Sequence, residues 1–183
     1  IMNRAYITPK RIVTKYAGCK NNLIKDEHYL LERGNGQSEM NRKKCCIMTS
    51  TETEKASLLL DFGSELHGGL KLVMGSSSRR EPSLVRIRFG ESVGEANSTT
   101  SNTEWKVGFS TDDHAKRDII MEIPRDGMIE IGNTGFRFVR LDLLQNNATI
   151  SLKEISAILR YRDIPYLGSF ECNDQRLNKI WIT

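Results

Sequence analysis

Residues 58–92 constrain the fold more than any other part of the sequence. They contain three segments in which apolar side chains alternate with others, and a side-chain period of two is typical of a half-buried strand. The apolar positions are Leu58, Leu60 and Phe62, then Leu70, Leu72 and Met74, and finally Val85, Ile87 and Phe89. Turn-forming residues separate the segments at Gly63-Ser64, at Gly68-Gly69 and between Gly75 and Pro82. The stretch therefore predicts an antiparallel meander with one face in water.

Alternation of apolar and polar residues is weaker in the first fifty residues. Apolar residues surround Pro9, which cannot donate to a strand ladder, so an edge strand interrupted by the proline is predicted over residues 1–14. The segments that follow are predicted as a short strand or turn at 23–31, a turn at 34–36, a strand at 45–49 and a polar loop at 50–55.

Two changes of phase mark the later strands. Strands are predicted at 119–123 and 129–131, with turns at 124–127 and 132–135. Over residues 136–144, Phe136 and Phe138 share one parity whereas Val139, Leu141 and Leu143 share the other. This strand is therefore either buried on both faces or bulged near Phe138. Residues 150–152 and 155–159 differ in the same way; a helix over 152–159 is the alternative, and the surrounding β pattern favours a strand.

These patterns together predict an all-β chain of two packed antiparallel sheets, with little helix before Asp174. The side chains predicted to form the core are Leu58, Leu60, Phe62, Leu70, Leu72, Val85, Ile87, Phe89, Ile129, Ile131 and Phe138.

The last segment changes character. Pro165 ends the preceding strand, and one more short strand is predicted at Phe170 to Cys172. Asn173 or Asp174 then serves as the N-cap of a short helix over residues 175–181. The apolar stripe of this helix consists of Leu177, Ile180 and Trp181. Because so short a helix is not stable alone, the stripe must pack on the sandwich, on another copy of the chain or on a domain that follows.

Composition excludes several classes of protein. The chain has 183 residues, enough for one domain with a real core, and no apolar run approaches the roughly 20 residues of a membrane span. The formal charge is +4, but the basic residues are dispersed, as at Arg42-Lys43-Lys44 and Arg79-Arg80. A solvated surface is favoured over a phosphate site, and nucleic acid is not predicted as a partner.

Four cysteines are present, at positions 19, 45, 46 and 172, without a CxxC pair or a histidine at metal-ligand spacing. No metal site and no cofactor are predicted. Adjacent Cys45 and Cys46 point to opposite faces of a strand, so buried free thiols are favoured over a disulfide.

The possible acid–base and sugar-binding residues are few. Asp61, Glu91 and Asp142 are interpreted as solvated carboxylates at strand ends or on faces exposed to water, with Asp61 and Glu91 alternatively fixing strand ends through backbone N–H groups. Asp112-Asp113-His114 is interpreted as a loop that satisfies its own backbone. Trp105 is interpreted as closing the core, with stacking on a sugar ring as the alternative. No catalytic residue is predicted, and carbohydrate-binding residues are not assigned.

Five phrases in order nevertheless carry a resemblance to a known family. They are LDFGSELHGG at 60–69, RIRFGES at 86–92, TDDHA at 111–115, GFRFVR at 135–140, and GSFECND at 168–174 with the helix to Trp181. Together they resemble the β-sandwich that precedes the catalytic barrel of bacterial α-L-rhamnosidases, most of all those of gut Bacteroidetes. The first fifty residues match through YITPKRI at 6–12.

This resemblance implies a concanavalin-like, jelly-roll sandwich over residues 1–172, with 173–183 beginning the linker and first helix of an (α/α)6 barrel. In the family that barrel holds two glutamates for inverting hydrolysis, and none of its motifs occurs here, so no catalytic residue is carried over. The start at Ile1, without a signal segment, indicates a removed leader or an excised piece. A periplasmic or extracellular location is implied by the resemblance alone.

Two functional hypotheses follow. The first is a noncatalytic accessory sandwich of an α-L-rhamnosidase-like glycoside hydrolase, whose partner is the catalytic barrel. The second is a stand-alone carbohydrate-binding module. Under either hypothesis the chain alone does not hydrolyse rhamnosides, and self-association through the C-terminal helix is a further possibility.

Overall fold

The computed structural model describes residues 2–38, 43–98, 117–165 and 167–182. Nine strands run through this part of the chain, and all of their pairings are antiparallel. The strands are β1 Asn3–Ile7, β2 Arg11–Tyr16, β3 Ile24–Lys25, β4 Cys46–Thr49, β5 Ser57–Ser77, β6 Ser83–Gly90, β7 Asp118–Ile123, β8 Gly127–Leu143 and β9 Thr149–Tyr161. A 3-10 helix spans Glu27–Leu31, and the α-helices are α1 Val93–Asn97 and α2 Gln175–Ile182.

Two long strands build the sandwich because each contributes to both of its layers. In the first layer, the first part of β5 pairs with β2 on one side and with the end of β8 on the other. The end of β8 also pairs with β6, and β6 pairs with β7. In the second layer, the later part of β5 pairs with the beginning of β8 and with β9. Strand β9 also pairs with β4 and with β1, and β4 pairs with β3. The inner faces of both layers meet in one apolar core. The predicted antiparallel β-sandwich with a short C-terminal helix is confirmed.

The meander predicted for residues 58–92 is wrong in two respects. It does not have one face in water, since Leu59, Asp61, Lys71 and Val73 on the other face of β5 are buried as well. Gly63-Ser64 and Gly68-Gly69 are not turns between strands, because β5 runs without interruption from Ser57 to Ser77. Both sites are instead shifts in register, and Gly69 lies so close to β8 that an added Cβ would be 2.5 Å from the carbonyl oxygen of Gly132. Because Gly69 has no side chain, the backbones of β5 and β8 can lie this close together. The turn predicted at 132–135 likewise falls inside β8.

Most of the predicted core is confirmed. Eight of its members, from Leu58 through Phe89, lie in the main cluster with at most 1% of their surface exposed. Ile129 and Ile131 pack against that cluster and are partly buried. Phe138 is the exception, since it belongs to a separate cluster with Leu59 and Ala96.

The two predicted changes of phase coincide with shifts in strand pairing. In β8, Phe138 pairs with Asp61 and Phe136 pairs with Leu66, so β5 carries the extra residues opposite this point. In β9, Glu154 pairs with Val73 and Leu152 pairs with Met74, which leaves Lys153 as the extra residue of a bulge. The strand predicted over 152–159 is confirmed, and the helix alternative is wrong.

The C-terminal segment is partly as predicted. No strand forms at Phe170 to Cys172, but α2 begins where expected, and the Asp174 carboxylate accepts a hydrogen bond from the Arg176 backbone N–H at 2.8 Å. None of the residues of α2 is buried. Its apolar stripe therefore does not pack into the sandwich core.

Candidate functional site

The carboxylates considered from the sequence lie in different environments from those predicted. Asp61 and Asp142 are buried, with 2% and 7% of their surface exposed, so the prediction that they are solvated is wrong. Each lies beside arginines that the sequence alone did not assign to it. Glu91 is exposed as predicted, and its carboxylate accepts from Arg117 at 3.2 Å.

Asp61 stabilises the bend of β5. Its carboxylate accepts from Arg137 at 2.8 and 2.9 Å, from Arg11 at 2.9 Å and from the Gly63 backbone N–H at 2.8 Å. Hydrogen bonds from Arg137 above all hold the pKa of this carboxyl well below its usual range. The prediction that Asp61 accepts from a backbone N–H is confirmed, but Asp61 lies inside β5 and not at a strand end, and the Glu91 carboxylate pairs with a side chain.

Asp142 links β8 to the neighbouring strand β6 in the first layer. Its carboxylate accepts from Arg88 at 2.7 Å and from Arg140 at 2.9 Å, and Arg88 also donates to the backbone oxygen of Asn97 at 3.0 Å. Burial opposes the charge, but hydrogen bonds from Ser57, Arg140 and Arg88 outweigh it, so the pKa of Asp142 is lowered. The cluster therefore ties α1 to the sheet.

A third buried carboxylate, Glu154, lies on the outer face of the second layer. Lys71 pairs with it at 2.6 Å, and the Ser156 hydroxyl and the Gly36 backbone N–H donate to it at 2.6 and 3.0 Å. Burial again opposes ionisation, but the hydrogen bond from Lys71 and its companions lower the pKa of Glu154. An alanine at Gly34 would place its Cβ in contact with this carboxylate, which explains the glycine there.

These environments suit structural roles better than acid catalysis. Glycoside hydrolysis requires a general acid whose pKa is raised, together with a second carboxylate across the sugar. Wherever the pKa of an Asp or Glu departs from its usual value in the described part of the chain, it is lowered. Trp105 and Asp112-Asp113-His114 lie outside the described residues, so their interpretations stay predictions.

A cationic cleft lies beside the outer face of the second layer. It has a volume of about 450 Å³ and is lined by Arg33, Lys43, Lys44 and Lys153, with Glu32 as the acidic side chain and Tyr29 as the aromatic one. Four cations thus face one carboxylate among these lining residues. The sequence analysis treated Lys43 and Lys44 as solvated surface, because nothing in the sequence places Arg33 or Lys153 beside them.

Local structure explains how Arg33 and Lys153 come together. The bulge in β9 makes Lys153 the extra residue between Leu152 and Glu154. The loop carrying Arg33 is fastened to the sheet where Glu154 accepts from Gly36 and where the Ser38 hydroxyl donates to Met74 O at 2.7 Å. The change of parity between residues 152 and 155 was the one signal of this bulge in the sequence.

The cysteines are free thiols, as predicted, although only two of them are buried. Cys45 and Cys46 lie in the interior, Cys19 is exposed and Cys172 is half-buried, so the prediction of burial is wrong for the last two. Burial raises the pKa of Cys46 to about 12, which makes it an inert core residue. Within residues 2–38, 43–98, 117–165 and 167–182, no cluster of His, Cys, Asp and Glu could hold a metal ion.

An exposed apolar surface runs along the end of the chain. We call it the C-terminal apolar segment, comprising Ile164, Leu167, Phe170, Leu177, Ile180, Trp181 and Ile182. The rings of Phe170 and Trp181 pack together with their centres 5.9 Å apart, yet both remain nearly half exposed. Large exposed apolar surfaces of this kind mark contacts with other proteins or domains.

Among the helices that the structure describes, none has the length and apolar character needed to span a bilayer.

Comparison with solved structures identifies this sandwich in larger proteins. A rhamnosidase from Klebsiella oxytoca with rhamnose bound matches 98% of this chain with a TM-score of 0.63 and 16% identity. A GH78 family rhamnosidase of Bacillus sp. GL1 matches 75% of it with a TM-score of 0.53 and 18% identity. The C-terminal domain of a chitobiase from Bacteroides fragilis matches 86% with a TM-score of 0.50 and 12% identity.

These likenesses establish the fold, which the chain shares with part of each rhamnosidase. The chain spans 33% of the Klebsiella oxytoca protein and 13% of the Bacillus protein, but all of the chitobiase domain. No protein-family model and no curated protein sequence matches the chain. The same sandwich therefore occurs as part of rhamnosidases and as a domain of a chitobiase. The fold alone does not define which role it has in this chain.

Proposed function

We propose that this chain is a noncatalytic accessory β-sandwich of an α-L-rhamnosidase-like glycoside hydrolase. The observation that carries the proposal is the match of nearly the whole chain to one third of a rhamnosidase. The lowered pKa values of Asp61, Asp142 and Glu154 support it further, because carboxylates held in their charged form by arginine or lysine are poor proton donors. The sandwich would then support a catalytic domain rather than supply its acid and base.

In this proposal the C-terminal apolar segment is the contact with the catalytic domain. The proposed boundary lies between residues 172 and 173, so that α2 would begin the linker and first helix of an (α/α)6 barrel. Support comes from the exposure of α2, whose Ile180 and Ile182 keep 71% and 75% of their surface accessible. Burying such side chains against a neighbouring domain would be favourable by about 1.5–3 kcal/mol for each that becomes fully buried.

The decisive experiment is to read the gene on both sides of the codons for residues 1–183 and to express the complete open reading frame. Expected is a helical domain encoded downstream and hydrolysis of an aryl α-L-rhamnoside by the full product. A complete reading frame without such a domain would refute the accessory role.

The second candidate function is a stand-alone carbohydrate-binding module. It is favoured by the cationic cleft, since a scaffold needs no concave, charged site of its own. Isothermal titration of the purified chain with a panel of neutral and acidic glycans tests for binding, and the complete reading frame separates the two candidates. Saturable binding together with the absence of a downstream catalytic domain would favour the module.

A further inference from the structure

We infer that the cationic cleft is a binding site for an acidic saccharide, recognised through the carboxylate or sulfate groups of its sugar units. The site goes beyond the accessory role, which needs no ligand. Its failure would leave the proposed contact with a catalytic domain untouched, and the two ideas are tested separately.

Charge is the first step of the argument. Arg33 and Lys44 are exposed, and neither forms a salt bridge with any residue that the structure describes. Of the thirteen other arginines that the structure describes, seven form salt bridges, among them Arg11, Arg88 and Arg137. Unpaired cations at a concave surface attract an anion more strongly than the same charges on a convex one, because low-dielectric walls focus the field.

Shape and preorganisation are the second step. A volume of about 450 Å³ lies within the roughly 300–1,000 Å³ of small-ligand sites. The wall that carries Arg33 is held in place, since Glu154 accepts from the Gly36 backbone N–H and the Ser38 hydroxyl donates to Met74 O. A site whose walls are fixed beforehand loses less entropy on binding.

The identity of the side chains favours a sugar over a nucleic acid. Tyr29 is half-buried and supplies one aromatic wall, and the Asn35 amide adds further polar groups. Sugar rings present apolar faces and hydroxyls that such a mixture of groups can contact. Nucleic-acid sites usually spread their cations along a stripe with several aromatic side chains, whereas here the cations converge on one cleft.

The test uses isothermal titration calorimetry on the chain and its variants at low salt. The ligands are a short oligogalacturonide, a carrageenan oligosaccharide whose charged groups are all sulfates, a neutral oligosaccharide of similar length and a short single-stranded DNA. The variants are Arg33→Ala, Lys44→Ala and the double variant, with Arg125→Ala and Lys10→Ala as exposed cation controls outside the cleft. Melting temperatures verify that every variant is folded.

We expect one of the two acidic saccharides to bind saturably, and which one it is distinguishes carboxylate from sulfate recognition. Each cleft variant should weaken binding about tenfold, the usual effect of losing one hydrogen bond from a charged group, whereas the controls leave it unchanged. Added salt should weaken binding as well. Absence of binding by both acidic ligands, equal binding of the neutral one, an unaffected double variant, or tighter binding of the DNA would each overturn the inference.

Discussion

Lys71 and Glu154, on the neighbouring strands β5 and β9, form a buried ion pair with the ammonium nitrogen 2.6 Å from a carboxylate oxygen. The Lys71 nitrogen also lies 4.2 Å from the centre of the Tyr6 ring on β1. The Glu154 carboxylate also accepts a hydrogen bond from the Gly36 backbone N–H. One pair thus joins two strands of the second layer to the loop that forms the wall of the cationic cleft.

Removing one partner of this pair should be costly. Lys71→Met leaves Glu154 buried without its counter-charge, and we expect the free energy of unfolding to fall by about 3–5 kcal/mol. Glu154→Gln combined with Lys71→Met should recover part of that loss, because the amide keeps an acceptor for Gly36 and carries no charge. Urea denaturation of the single and double variants measures the coupling. A loss below about 1 kcal/mol for Lys71→Met would mean that the pair behaves as an exposed one.

Asp61 should make stability depend on acid pH. Its folded-state pKa is lowered, so its contribution is fully present above the unfolded-state pKa of about 4 and is lost as the pH falls towards the folded value. We expect the wild-type chain to lose stability below about pH 4, and Asp61→Asn to flatten that loss. The measurement is urea unfolding between neutral and acid pH, with the exposed Asp126→Asn as control. Parallel curves for wild type and Asp61→Asn would contradict the assignment.

Gly69 is required by the spacing between backbones rather than by a turn. A Cβ at this position would meet the carbonyl oxygens of Ile131 and Gly132 on β8. Gly69→Ala should therefore lower the melting temperature, with a cost of about 1–3 kcal/mol for the overpacking. Gly94→Ala in α1 is the matched control, because its added methyl group has only the Ser92 hydroxyl within reach. Equal melting temperatures for Gly69→Ala and wild type would show that β5 and β8 can separate freely.

The C-terminal apolar segment should mediate association. Trp181→Ala removes a ring that packs on Phe170 and is otherwise exposed, so we expect weaker self-association of the isolated chain. Sedimentation velocity over a range of concentrations measures the effect. If neither the sedimentation profile nor the melting temperature changes, the segment has no partner in a second copy.

The alternating pattern of the sequence was sufficient to predict the sandwich and most of its core. Membership of the main core cluster follows the period of two at Leu58, Leu60 and Phe62, although Leu59 and Asp61 between them are buried on the opposite face. The pattern cannot tell whether two apolar segments are separate strands or parts of one bent strand. Gly63 and Gly68 illustrate this, since a glycine serves equally well in a turn and in a bulge.

The polar sites were less predictable. Asp61 and Asp142 are buried because arginines distant in sequence, Arg137 and Arg88, come to lie beside them in the folded sheets. The cationic cleft depends in the same way on tertiary structure, since a bulge in β9 brings Lys153 to the loop of Arg33. Local sequence carries no record of such pairings, although the parity change in β9 did indicate where the strand is irregular.

The central claim, that this sandwich is not itself the catalyst, is tested most directly by incubating the purified chain with an aryl α-L-rhamnoside and following release of the phenol. We expect no turnover above the uncatalysed rate, and turnover by the product of the complete reading frame. A positioned proton donor contributes roughly 10²–10⁴ in rate, so a catalytic site in the sandwich would be readily detected. Turnover that survives repurification and is abolished by Asp61→Ala, Glu91→Ala or Asp113→Ala would contradict the account.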